Sequence, residues 1–193
     1  MGLAIYRMRL EGREWIPARG PYILVSNHLD WKDPPAIEFT FEVALRFMAK
    51  IESFGMFFLG GLMRGIGCFP VRRGAGDRRA VVTCLQVLAA GIPIAFFPEG
   101  TRSRDGRMGR AQPGIAFLAR RSGAPILPVG LMGTSQAKPF RSQIRVRVGP
   151  SFFLKELGLP DDATEQELAD GIMRRVAVLL PEEQRGYYAQ EVR

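Results

Sequence analysis

The 193-residue chain predicts an α/β fold: one domain, residues 1–193, with a central, largely parallel β-sheet flanked by helices. Three observations carry this. Apolar runs of strand length alternate with helical patterns along the whole chain. Gly and Pro punctuate the connections. No repeat of fixed period and no low-complexity tract is present.

In order, residues 4–10 alternate loosely and predict a first strand. Gly12 and the segment Pro17-Ala18-Arg19-Gly20-Pro21 mark a turn. The apolar run from Tyr22 to Ser26 predicts a buried strand. Pro34 suits the first turn of a helix, where its missing N–H costs nothing, and that helix should run to about Phe41. Val43 to Lys50 predicts a second buried strand. The aromatic, Gly-rich stretch Ser53 to Met63 reads as a short broken helix. Cys68 to Arg73 reads as a short strand entering a basic loop.

Arg78 to Ala90 predicts a helix, with Val81, Leu85, Leu88 and Ala89 on one face and Gly91 as its stop. Ile92 to Phe97 is a continuous apolar strand. Pro113 to Arg121 is a helix ended by Gly123, and Pro125 to Leu131 is again a strand. Ile144, Val146 and Val148 alternate with Arg145 and Arg147, which predicts an edge strand with one wet, basic face. Thr164-Glu165-Gln166-Glu167 is a capping box opening a C-terminal helix over about 164–180, with Leu168, Ile172, Val176 and Leu179 inward.

The net charge of +8 favours anionic partners: phosphates, an anionic membrane face or an acidic carrier protein. Nucleic acid is not expected. The arginines are not interleaved with stacking aromatics, and no nucleic-acid-binding signature occurs. Two cysteines, Cys68 and Cys84, are too few for a disulfide framework, so a reduced, cytoplasmic setting is expected. No signal peptide is expected, because Tyr6-Arg7-Met8-Arg9 interrupts any apolar run. Gly91 and Pro93 interrupt the longest uncharged run, Ala80 to Pro98, so no transmembrane helix is expected.

His28 is the only histidine, and it follows a predicted strand. A histidine is the side chain best suited to accept a proton near neutral pH, and a carboxylate on its other ring nitrogen fixes the tautomer. Asp33 is placed to do this if it turns back toward the loop. Its position before Pro34 also suits a plain helix N-cap, and a buried structural histidine is the competing reading. No serine or cysteine is tied to His28 by a motif, so direct attack by a substrate hydroxyl is the simpler chemistry.

The second constellation is Phe97-Pro98-Glu99-Gly100-Thr101-Arg102-Ser103. An arginine on a Gly-containing loop after a buried strand suits phosphate recognition, with Glu99 orienting Arg102 or a hydroxyl. A polar turn is the bland alternative. From Arg72 to Arg110 there are eight arginines against three acids. Because functional loops of parallel sheets lie at the carboxyl ends of strands, Asn27-His28, Lys50, Arg72-Arg73 and Glu99 to Arg102 are expected along one sheet edge.

These residues resemble the glycerolipid acyltransferases of the 1-acylglycerol-3-phosphate (lysophosphatidic acid) acyltransferase type. The resemblance spans about residues 22–150 in four ordered blocks: Asn27-His28-x4-Asp33, Gly67 to Arg73, Phe97 to Ser103, and Ala124 to Val129. Ala49-Lys50 resembles a family lysine between the first two. The resemblance implies a glycerol-phosphate-acyltransferase-like fold. It implies His28 as general base and Asp33 as its orienter. Lys50, Arg73, Glu99, Gly100, Thr101 and Arg102 would hold the phosphate and glycerol of the acceptor.

The implied reaction moves a fatty acyl group from acyl-CoA or acyl carrier protein to a lysophospholipid, giving phosphatidic acid. It needs no metal and no cofactor. Glycerol 3-phosphate or another lysolipid is an alternative acceptor. A non-enzymatic anionic-lipid or nucleic-acid module and a thioester hydrolase are the competing classes. Asp30 and Lys32 depart from the family pattern and are placed to alter acceptor choice. The chain begins almost at its first predicted strand, without the N-terminal helices of many members, so peripheral rather than permanent membrane contact is expected. Phe54, Met56, Phe57, Phe58, Leu59, Leu62 and Met63 are the candidates for the acyl groove or for that contact.

Overall fold

The computed structural model describes residues 6–41, 43–55, 60, 61, 65, 67–71 and 78–191. Its seven strands are β1 (Arg7–Glu11), β2 (Ile23–Ser26), β3 (Arg46–Lys50), β4 (Cys68–Val71), β5 (Ile94–Phe96), β6 (Ile126–Met132) and β7 (Gln143–Val148). The four principal helices are α1 (Asp33–Thr40), α2 (Arg78–Ala89), α3 (Gly114–Ser122) and α4 (Glu165–Ala177). The strands form one sheet in the order β1-β7-β6-β2-β5-β3-β4, parallel throughout except for β6 against β7.

Helices cover both faces of this sheet, which is why its central strands are apolar without alternation. Every residue of β2 and β6 is buried. On β2, Ile23 and Val25 pack with Cys84 of α2, Ile115 of α3 and Ile172 of α4. Tyr22 and Leu24 point the other way, toward Ile37 of α1 and Phe47 of β3. On α2 the buried ridge is Cys84 and Leu88, with Val81 and Leu85 half-buried. Ala89 is exposed at the end of the helix.

The capping box forms as expected: Glu167 N–H donates to Thr164 Oγ1 (3.2 Å) and Thr164 N–H to Glu167 Oε2 (2.8 Å). The helix it opens ends at Ala177, short of Leu179. No helix among the described residues is long and apolar enough to cross a membrane.

One expectation is corrected. β7 is not an edge strand, because β1 adds to it in parallel, from Arg7 opposite Gln143 to Glu11 opposite Arg147. The arginine face of β7 is wet because it lies on the outer part of the sheet, and it is neutralised laterally: Arg147 Nε donates to Glu11 Oε2 at 2.8 Å. That hydrogen bond holds the Glu11 carboxyl below its usual range. Alternating hydrophobicity reports a one-sided strand and carries no information on what pairs with it.

Candidate active site

β2, β5, β3 and β4 are contiguous and parallel, so the loops after them leave from one edge of the sheet. Lys50 ends β3 opposite Val71, the last residue of β4. The backbone therefore brings the first and third blocks, and the second as far as Val71, to one margin. Arg73 and most of the stretch from Met56 to Met63 fall outside the described residues, as does the Lys50 side chain.

The first loop is built around Asp33. Its Oδ2 accepts the N–H groups of Leu29 (2.6 Å) and Asp30 (2.7 Å) and lies 2.7 Å from His28 Nδ1. An oxygen already accepting two N–H groups is the acceptor here too, so Nδ1 carries the hydrogen, and in the neutral imidazole Nε2 keeps its lone pair. Asp33 is fully buried and the His28 side chain is 13 % exposed. The imidazole stacks on Phe97, with centroids 4.3 Å apart at 22°. Two constraints, one on an atom and one on a face, thus fix the ring.

Asp33 does not cap its helix. It is the first helical residue, after Lys32 in αR conformation without a side-chain cap. Its carboxylate instead turns back to fold the loop. The two unusual residues of this block complete that turn. Asp30 Oδ1 accepts the Lys32 N–H (3.1 Å) and pairs with Lys32 Nζ (2.6 Å), so the added cation is neutralised within the loop.

The third block docks onto the first through the His28 backbone. Glu99 Oε1 accepts His28 N–H (2.8 Å), and Ser103 N–H donates to the His28 carbonyl (2.7 Å). The other Glu99 oxygen accepts Gly109 N–H (2.8 Å). Burial pushes the Glu99 carboxyl up to about 7, against the lowering by the Gly109 and His28 amides. Gly100 has φ 70, which a side chain would strain, and its N–H closes a turn onto the Phe97 carbonyl (3.1 Å). Thr101 and Arg102 are exposed at the rim.

Two supports were not legible in the sequence. Asn27 is fully buried, and its amide pairs with both polar groups of Leu131 (Nδ2 to O 3.0 Å, N–H to Oδ1 2.8 Å), pinning the end of β2 to β6. A C-terminal segment holds the loop that carries Gly109. Met108 N–H donates to the Gln184 carbonyl and Tyr187 N–H to the Met108 carbonyl, at 2.9 and 3.0 Å. Tyr188 Oη accepts Ala111 N–H and donates to Asp170 Oδ1, both at 2.9 Å, while Arg110 pairs with Asp170 Oδ2. Asn27 stands inside the first block and offers a signal only in hindsight. The contacts of Tyr188 cross 77 positions to Ala111 and 18 to Asp170 and follow no local pattern.

A parallel sheet thus presents a carboxylate-held histidine, with a Glu-Gly-Thr-Arg turn clamped on its backbone. Residues 7–132 match the family Acyltransferase, and the chain belongs to that family.

Among curated proteins it is 31% identical over 183 residues to a 1-acyl-sn-glycerol-3-phosphate acyltransferase of Chlamydomonas reinhardtii, covering 92% of this chain and 54% of that one. It is 34% identical over 143 residues to a chloroplastic 1-acyl-sn-glycerol-3-phosphate acyltransferase of Arabidopsis thaliana, covering 72% and 39%. The chain spans about half the length of these relatives. The crystal structure of the 1-acyl-sn-glycerophosphate acyltransferase of Thermotoga maritima matches with a TM-score of 0.72 and 26% identity, over 89% of this chain and 69% of that one.

Proposed function

We propose that the protein is an O-acyltransferase that moves a fatty acyl group from an acyl-CoA or acyl-carrier-protein thioester to the free hydroxyl of a lysophospholipid. The acceptor is 1-acyl-glycerol 3-phosphate and the product phosphatidic acid. The observation that carries this is the 2.7 Å contact of His28 Nδ1 with an Asp33 oxygen already holding two backbone N–H groups. It leaves Nε2 as an acceptor in a ring that cannot turn.

In this reading Nε2 takes the acceptor's hydroxyl proton as its oxygen attacks the thioester carbon. The tetrahedral intermediate collapses with loss of the C–S bond, and the imidazolium returns the proton to the departing sulfur. Asp33 stabilises the imidazolium while it lasts. Exposed Arg102 and Thr101 receive the phosphate and glycerol, joined by Lys50 and Arg73. Glu99 sets the His28 peptide in place. The chemistry calls on no metal or cofactor, since the thioester is already activated. The net charge of +8 supports peripheral contact with an anionic membrane, and Cys68 and Cys84, not joined in a disulfide, fit a reducing, cytoplasmic side.

The test is a panel of lysophosphatidic acid, glycerol 3-phosphate and other lysolipids against one acyl-CoA and one acyl carrier protein, read by thiol release and product mass. Thiol release that depends on lysophosphatidic acid and disappears in His28→Ala is expected. Equal release with and without acceptor indicates hydrolysis instead, and near-normal turnover by a folded His28→Ala protein removes the base from the mechanism. Arg102→Ala is expected to raise the KM for the phosphorylated acceptor by roughly tenfold or more, the loss of one charge-assisted contact.

A further inference from the structure

Loop 133–142 joins β6 to β7 and leaves the sheet at the same edge as His28, because β6 runs parallel to β2. Its tip is a closed turn: Lys138 N–H donates to Ser142 Oγ (2.8 Å), and the N–H groups of Ser142 (3.1 Å) and Arg141 (3.2 Å) donate to the Lys138 carbonyl. The turn holds Phe140 outward with 75% of its surface exposed, more than any other exposed large hydrophobic residue among those described. Phe140 is also the one non-glycine residue with positive φ among those described, at 61°. Both its backbone conformation and its hydration are unfavourable for a phenylalanine.

The surroundings give the ring a context. Lys138 and Arg141 flank it and are exposed. Trp31, 48% exposed, stands on the loop after the neighbouring strand β2. Arg102, Arg104 and Arg107 are exposed on the loop after β5. Leu29, Arg107, Ser135 and Gln136 line one cleft of about 300 Å³, so the three loops surround a common mouth. The edge that carries the site therefore presents projecting aromatics among cations.

We propose that the tip of loop 133–142 is a membrane-insertion element. Phe140 enters the hydrocarbon boundary of an anionic bilayer, Lys138 and Arg141 meet lipid phosphates, and Trp31 lies in the interface beside them. This turns the His28 edge of the sheet toward the lipid. An acidic protein partner would meet the same cations. A phenyl ring held on a closed turn suits fluid hydrocarbon, which needs no matching pocket. The proposal rests on the acyl-transfer reading only for its purpose, since vesicle binding is measured without turnover.

The experiment is sedimentation with sucrose-loaded vesicles of phosphatidylcholine, alone or with about 30% phosphatidylglycerol. The parent protein is expected to bind the anionic vesicles. Phe140→Ser should weaken partitioning roughly tenfold. Lys138→Glu and Arg141→Glu should each weaken it about fivefold or more on the anionic vesicles. Phe140→Gly separates binding from folding: it relieves the left-handed strain, so it should melt no lower than the parent and still bind as weakly as Phe140→Ser.

With a short-chain, water-soluble lysophosphatidic acid, Phe140→Ser should turn over at the parental rate. Parental binding by Phe140→Ser, or no binding of the parent to anionic vesicles, overturns the proposal. So does a variant that keeps its vesicle binding but has a raised KM for acyl carrier protein, which would mark a protein-docking loop. A parent that binds vesicles yet acylates no acceptor leaves the insertion element standing and removes the acyl-transfer reading.

Discussion

The single oxygen Asp33 Oδ2 organises three N–H groups, one on the histidine ring and two on the backbone behind it. Asp33→Asn keeps the shape but gives that position an amide whose orientation must satisfy donors on both sides. We expect kcat to fall on the order of 10³-fold with a smaller change in acceptor KM, measured by initial rates of thiol release.

Glu99 makes a pH-dependent prediction. Its carboxyl is raised from an ordinary 4.5 to about 7, so its contribution to stability is fully present below pH 4.5 and is lost as pH rises through 7. Glu99→Gln abolishes that titration. The cost of the substitution should therefore be larger at pH 5 than at pH 7.5, by on the order of 2 kcal/mol in urea unfolding. An equal cost at both pH values would show that the carboxyl titrates normally.

The C-terminal segment acts on the site without touching the reacting atoms. Gly186 has φ 48, and a Cβ there would sit 2.2 Å from the Met108 carbonyl oxygen. Gly186→Ala must push this segment off the loop that carries Gly109, and Gly109 anchors Glu99. We expect a loss of about 2–4 kcal/mol in unfolding free energy, together with lower kcat. Tyr188→Phe removes two buried hydrogen bonds and should cost about 1–3 kcal/mol.

These couplings mark where the sequence stops being readable. Strand and helix positions follow from periodicities of a few residues, so β2, β5, β6 and the capped α4 lie within a few residues of expectation. The His28–Asp33 pair is local, five positions apart, and was legible for that reason. Asn27 with Leu131, Glu99 with His28 and Tyr188 with Ala111 join distant segments through backbone atoms, which every residue has and no pattern announces. The N-cap reading of Asp33 failed because one carboxylate near a helix start can fold forward onto the helix or back onto the loop, and here His28, Leu29 and Asp30 supply the donors behind it.

For the molecule as a whole, Cys84 is buried between α2 and the sheet, and Cys68 is half-buried on β4. The thiols of Cys68 and Cys84 are each pushed up to about 12 by burial. The native protein should react with an aromatic disulfide reagent far more slowly than the unfolded chain, and thiol-blocking reagents should not titrate the site. Comparable rates in the native and urea-unfolded states would contradict the packing of Cys84 against the sheet.

The pairing of β1 with β7 has a temporal meaning. Arg7 lies opposite Gln143, so β1 is made long before the strand it pairs with. During synthesis it waits, unpaired, while β2 to β6 take shape. The clamp from Tyr188 onto residues 108–111 closes later still. Nascent chains halted before β7 should bind a holdase chaperone through residues 7–11 and show no acyl transfer. Refolding of the complete chain should be slow for its size, in milliseconds to seconds, as long-range pairing requires.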